Sequence, residues 1–372
     1  MAIAPTTSVR TVLSPQLRER PIGNGTVQSE VDRTLRVRFE GTGPPSQRTL
    51  VADSAAAATL MDSPAGATFE RGVRALLGSA DVATGAENLR SLTLLPDEHA
   101  SKAVVVLNDV LARSARGEAP GITSERIREL TQYEDDAVAT SGARNLGGHM
   151  VLMPGVSRDM LGSLGLYRAQ YDDESQATGD AAAAGRWSWH AALHEVQHSI
   201  TPRTKGDEVE SSRVLEESIA EVLSPALVTP ALRRAGADPA RLLQPREEGE
   251  PAGAVDWQPW NRDHLFDAMP PAPAGSETLS TQRYVDGPQL LRGLTQLAGI
   301  DRRTTEGRRD AAELLQGVAA NYVPERIARR LVREHGASTD QVGELTRLIR
   351  AATVGTASLA DIRAALSPRL RA

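Results

Sequence analysis

The clearest hydrophobic pattern in the chain lies at Trp189, Leu193, Val196 and Ile200, spaced four, three and four residues apart. That is the period of a helix with one buried stripe, and Pro202 limits it soon after Ile200. A second stripe at Leu215, Ile219, Val222, Leu223 and Ala226 predicts a helix from Glu208 to about Leu223, with Glu210, Glu217 and Glu221 on the opposite face. Upstream, residues 1 to about 60 are rich in Thr, Ser, Pro, Gly and Arg and are expected to be loosely ordered, with Leu35-Arg-Val-Arg-Phe39 as an edge strand. Asp62-Ser-Pro-Ala opens a helix through Leu77, because Asp or Ser can cap it and Pro64 suits its first turn. Lys102 to Leu107 is a continuous β-branched run, a buried strand or a buried helix segment, and Thr123-Ser-Glu-Arg-Ile begins a further helix. Gly147 to Gly155 reads as a strand ended by a turn, and Tyr171 to Gly185 as a polar loop. Residues 238 to 280 read as a long irregular connection. From Pro288 the pattern is helical throughout: Gln289 to Leu297, Asp310 to Ala320, Pro324 to Glu334, Thr339 to Ala352 and Leu359 to Leu366.

The first of these helices carries chemistry. Three of the seven histidines, His190, His194 and His198, fall on it at spacings of four. Residues four apart on a helix sit one turn apart and point the same way, so two imidazoles can grip one ion. His194-Glu195-Val196-Gln197-His198 is the HExxH pattern of zinc hydrolases, in which the histidines ligate the metal and the glutamate meets a metal-bound water. His190, one turn upstream, reads as a neighbour of the site or a surface residue rather than a ligand. The strand at 147 to 155, just before this helix, is placed where zinc peptidases pair a substrate backbone with an edge strand.

Composition narrows the chemistry further. The 372 residues imply two or three domains or one bilobed unit, and with 40% hydrophobic but only 3% aromatic residues the core must be built of Ala, Leu and Val. A net charge of −6 gives no basic field for nucleic acid or an anionic membrane. The absence of cysteine excludes thiolate ligands and a cysteine nucleophile, so zinc must sit on His and carboxylates. The N-terminus has no basic-then-apolar signal and no stretch reaches membrane-spanning length, so a cytoplasmic protein is expected, with export lacking a cleaved signal left open. Oligomeric state is not legible.

Two histidines usually gain a third protein ligand at a catalytic zinc, and Glu216, Glu217 and Glu221 are the candidates downstream. Here the chain resembles the gluzincin peptidases, the thermolysin-type and aminopeptidase N-type zinc enzymes. The matching pieces are His194-Glu-Val-Gln-His198 and Glu217-Ser-Ile-Ala-Glu221, with 18 residues between His198 and Glu217. The resemblance implies that Glu217 is the third ligand and that Glu221 holds the free ring nitrogen of His194. Glu216, which borders the apolar stripe, is the alternative ligand. Tyr284-Val-Asp-Gly287 resembles the YxxG segment of the aminopeptidase-type enzymes, which implies an oxyanion donor at Tyr284, with His264 as the alternative. The likeness spans roughly residues 145 to 300. The Gly-x-Met-Glu-Asn segment that anchors a free amine in those aminopeptidases is absent from 147 to 155, so exopeptidase specificity does not follow.

The expected fold is therefore α+β and zincin-like. It has a loosely ordered segment at 1–60, an α/β lobe at 61–202 with a mixed sheet and the HExxH helix, and a mainly helical lobe at 203–372 carrying the third ligand. The expected function is hydrolysis of a peptide or protein substrate by a zinc-activated water, with Glu195 as general base. Its rivals are a non-catalytic, zinc-stabilised interaction protein and a zinc hydrolase acting on a non-peptide substrate.

Overall fold

The computed structural model describes residues 21–22, 25–26, 32–81, 88–95, 143–146, 148–166, 174–201, 210–237, 286–302 and 304–366. Its central feature is a mixed five-stranded sheet built from β1 (Leu35–Glu40), β2 (Thr49–Ala52), β3 (Ser91–Leu94), β4 (Ala143–Leu146) and β5 (His149–Leu152). The strand order is β2-β1-β3-β5-β4, and β3 and β5 run parallel while every other neighbouring pair is antiparallel.

Alternation along β1 decides how the sheet is layered. Val37 faces Leu92 and Ala52, and Leu92 faces Met150, which builds one apolar face. Arg36, Arg38, Ser91, Thr93 and His149 share the other face. Arg36 is fully buried there, and its guanidinium donates to Asp53 Oδ2 (2.9 Å), Thr93 Oγ1 (2.9 Å) and Ser91 Oγ (3.3 Å). Arg38 Nε donates to the other Asp53 oxygen at 2.9 Å, so one carboxylate balances two guanidinium groups. With its acceptors supplied, a charged strand can lie inside a sheet.

The expectation of a loosely ordered N-terminal segment is thus corrected from Thr34 onward: β1 and β2 belong to the sheet, and β1 is an interior strand, not an edge. The distant Asp53, Ser91 and Thr93 supply the acceptors that let Arg36 lie inside. A separate helix, α1 (Ala55–Met61), follows β2: Ser54 Oγ caps it by accepting from Ala57 N, and Asp62 is its C-cap. The helix expected from Asp62 through Leu77 is α2 (Gly66–Leu77), which begins four residues later and has no side-chain cap.

The strand expected at 147 to 155 is also redrawn. β5 covers only His149–Leu152 and is an inner strand, the edge being β4, and the chain passes almost directly into α3 (Pro154–Ser163). Gly148, at φ 89°, makes the turn between β4 and β5; a Cβ there would stand 1.8 Å from the Asn88 carbonyl oxygen. The polar loop expected at 171 to 185 is instead the start of α4, which runs from Glu174 to Ile200. The four alanines at 181–184 have the highest helix propensity of any residue and carry the helix through.

The next helix, α5 (Glu210–Ala235), continues well beyond the expected end at Leu223 and contains Pro225 and Pro230. It is followed by α6 (Gly287–Leu297), α7 (Thr305–Leu315), α8 (Val323–Glu334), α9 (Val342–Thr353) and α10 (Leu359–Leu366), close to the periodicity along the C-terminal third. The runs at Lys102 to Leu107 and Thr123 to Ile127 lie outside the described residues.

The chain divides into two compact units. One holds the sheet, α4 as far as Ser199 and α5 from Val228; the other holds Ile200–Leu227 and the C-terminal helices. The first crossing falls near the boundary expected at residue 202. The second, inside α5 between Pro225 and Pro230, has no counterpart in the two-lobe expectation. The helical unit has its own core, in which Leu215, Ile219, Val222 and Leu223 join Leu291, Leu294, Leu331 and Ile349. Among the described residues no helix is long and apolar enough to cross a membrane.

Two outcomes follow for the sheet. Asp53→Ala leaves buried Arg36 without its counter-charge and should lower unfolding stability by about 3–5 kcal/mol in urea titration. Burial, with Arg36 and Arg90 nearby, holds His149 neutral by lowering its pKa to about 3 from the ordinary 6.5. Below pH 6.5 the unfolded chain binds a proton that the folded one refuses, so this contribution to stability is full above 6.5 and is lost as the pH falls toward 3. His149→Asn should flatten that part of the stability curve relative to the wild type.

Candidate metal centre

Helix α4 is buried on nearly every side from Gly185 to Ile200, not only along the expected stripe. Trp189, Leu193, Val196 and Ile200 are wholly inaccessible, and Trp189 Nε1 donates to Ser163 Oγ at 2.8 Å, tying the helix to the end of α3. His194, Glu195 and His198 are 8%, 8% and 9% exposed.

The two imidazoles converge. His194 Nε2 and His198 Nε2 stand 2.9 Å apart, with ring centroids 4.7 Å apart and planes tilted by 73°. One ligand atom each from His194, Glu195 and His198 lies within 4.8 Å of the others, the one such group of three among the described residues. Two nitrogens each bound at 2.0–2.1 Å to a tetrahedral ion stand roughly 3.3 Å apart, so a side-chain adjustment of about 0.4 Å would admit zinc. The donor set, two neutral imidazoles and a carboxylate with no thiolate, fits zinc or another borderline divalent ion.

His190 lies behind this pair. Its ring meets His194 edge-on at 6.2 Å, and Trp187 flanks it on the other side at 5.5 Å. That places it as a buried neighbour of the site, in keeping with its exclusion from the ligand set.

A residue with no part in the sequence reading fixes the helix from outside. Asn145, on edge strand β4, donates through Nδ2 to the Glu195 carbonyl oxygen (2.8 Å) and to Ser199 Oγ, while its Oδ1 accepts from Gly148 N at 3.0 Å. One amide thereby joins the sheet edge, the glycine turn and the motif glutamate's own backbone. The signal that points to it is Gly147-Gly148 between Arg-Asn-Leu and His-Met-Val-Leu, a two-residue hairpin signature.

Glu216, Glu217 and Glu221 lie on the first half of α5, in the helical unit. Glu216 and Glu217 are half-buried, and Glu221 is buried where the sequence pattern placed a solvated face. Tyr284 and His264 lie outside the described residues. No protein-family model matches the chain, and neither the curated proteins nor the solved structures hold a match to it.

Asn145→Ala removes three hydrogen bonds around buried backbone. It should lower stability by about 1–3 kcal/mol in urea titration and raise hydrogen exchange at the Gly148 amide, which loses its acceptor.

Proposed function

We propose that this chain is a zinc-dependent hydrolase of peptide bonds with a zincin-like arrangement, as its resemblance to the gluzincins implies. The observation that carries this reading is the meeting of His194 Nε2, His198 Nε2 and the Glu195 carboxylate in one buried cluster on a single helix. A structural metal site has no need of a base, whereas hydrolysis does.

His194 and His198 would hold the metal, with Glu217 as the third protein ligand and Glu216 as the alternative. A zinc ion there would supply Lewis acidity that brings the ionisation of water toward neutral pH. Glu195 would take the proton of the attacking water and return it to the leaving amine. Its burial strengthens this, because a carboxylate shielded from bulk water exchanges its proton with the reacting atoms rather than with solvent. Tyr284 would donate a hydrogen bond to developing negative charge on the substrate oxygen, and Glu221 would orient His194, as the resemblance implies. β4, the outermost strand of the sheet among the described residues and held to the helix by Asn145, is the strand along which an extended peptide would pair its backbone.

Metal analysis of the purified protein, beside variants assayed on a mixed peptide library, tests the reading. The wild type should carry about one zinc, and His198→Ala should lose it. Glu195→Gln should keep zinc while hydrolysis falls by about 10²–10⁴-fold. Tyr284→Phe should slow the chemical step at unchanged zinc content. Absence of stoichiometric zinc at neutral pH would overturn the reading, and zinc binding without any cleavage would favour the metal-stabilised interaction protein.

A further inference from the structure

We infer that Arg186 is the binding group of an oxyanion site on the same stripe of α4 as the candidate metal centre, and that a carboxylate is the ligand chemistry it fits. Arg186, His190, His194 and His198 follow one another at steps of four. Each step turns by about 40° and climbs about 6 Å, so the four side chains form one gently winding row, with Arg186 about 12 Å along the axis from His194.

Arg186 is 5% exposed, its Nε is sealed from solvent without an acceptor, and no described residue offers the guanidinium a hydrogen bond or an ion pair. Burial lowers its pKa, and no carboxylate opposes that shift. A guanidinium does not shed its proton to escape such a setting. The same unit shows what a satisfied buried arginine looks like: Arg36, no less buried, has Asp53, Thr93 and Ser91 around it. Arg186 has the burial without the partners.

Its neighbours in the row, His190 and His194, are imidazoles and carry no negative charge of their own. A planar guanidinium binds a carboxylate through two parallel N–H···O bonds, which an ammonium cannot match. Two sources offer that chemistry: the free carboxylate of a peptide lying along the helix, and a small free anion. The first rests on the hydrolase reading; the second does not.

The test uses the full chain stripped of metal with a chelator, so its outcome is independent of turnover. Thermal unfolding is followed against acetate, inorganic phosphate and, as the ionic-strength control, chloride. Acetate and phosphate should raise Tm saturably beyond chloride, and both Arg186→Gln and Arg186→Met should lose that rise. Arg186→Met should fold well, since it replaces a buried charge with an apolar chain of similar length. Binding of acetate to the wild type by calorimetry checks the site without any variant.

Blocked tri-alanine peptides ending in a free carboxylate or in an amide separate the sources. Stabilisation by the carboxylate form alone assigns the site to a substrate terminus, and equal behaviour of the two assigns it to a free anion. If no anion exceeds chloride, or if Arg186→Met keeps the effect, the inference falls.

Discussion

Two imidazole nitrogens 2.9 Å apart in a buried setting are the constraint on which the site depends. At that separation one ring's N–H can donate to the other's lone pair, and a cation could take the proton's place once the nitrogens part by a few tenths of an ångström. The chain sets up this contact with ordinary means. The residues are four apart on a helix, the helix is enclosed on nearly all sides, and its backbone is anchored by Trp189 to α3 and by Asn145 to the sheet edge. Those anchors hold the helix that carries both imidazoles.

The sheet answers a related electrostatic problem differently. Its second face carries Arg36, Ser91, Thr93 and His149, all buried, and the partly exposed Arg38. Asp53 balances Arg36 and Arg38, the hydroxyls of Ser91 and Thr93 take further donors, and Ser91 bonds His149 Nδ1 at 2.8 Å. Each group is retained because removing its neighbour would leave a charge stranded. Against that background a buried arginine without acceptors stands apart, and Arg186 lies on the very helix that carries the histidines.

The division of the chain bears on the third ligand. The motif helix ends its own unit at Ser199, while Glu216, Glu217 and Glu221 belong to the helical unit, whose core takes Leu215, Ile219, Val222 and Leu223 from the other side of the same helix. The burial of Glu221 and half-burial of Glu217 mean that this face of α5 is not a bare solvated surface.

Local pattern was enough for much of the chain. Helical periodicity gave the C-terminal helices to within a few residues, because each has its own apolar stripe. Spacing alone put His194, Glu195 and His198 on one helix, because i and i+4 share a face whatever surrounds them. What sequence could not supply were properties made by residues distant along the chain. The interior placement of β1 depends on Asp53, Ser91 and Thr93, which let Arg36, in a segment that read as an edge, lie in the core. The length of α4 depends on a run that looked polar and loop-like. Asn145 becomes part of the site only because its strand lies beside a helix 50 residues later. The isolation of Arg186 is likewise a fact about what three-dimensional packing failed to place next to it. Sequence determined which side chains could act together; tertiary structure decided which of them are enclosed, and with whom.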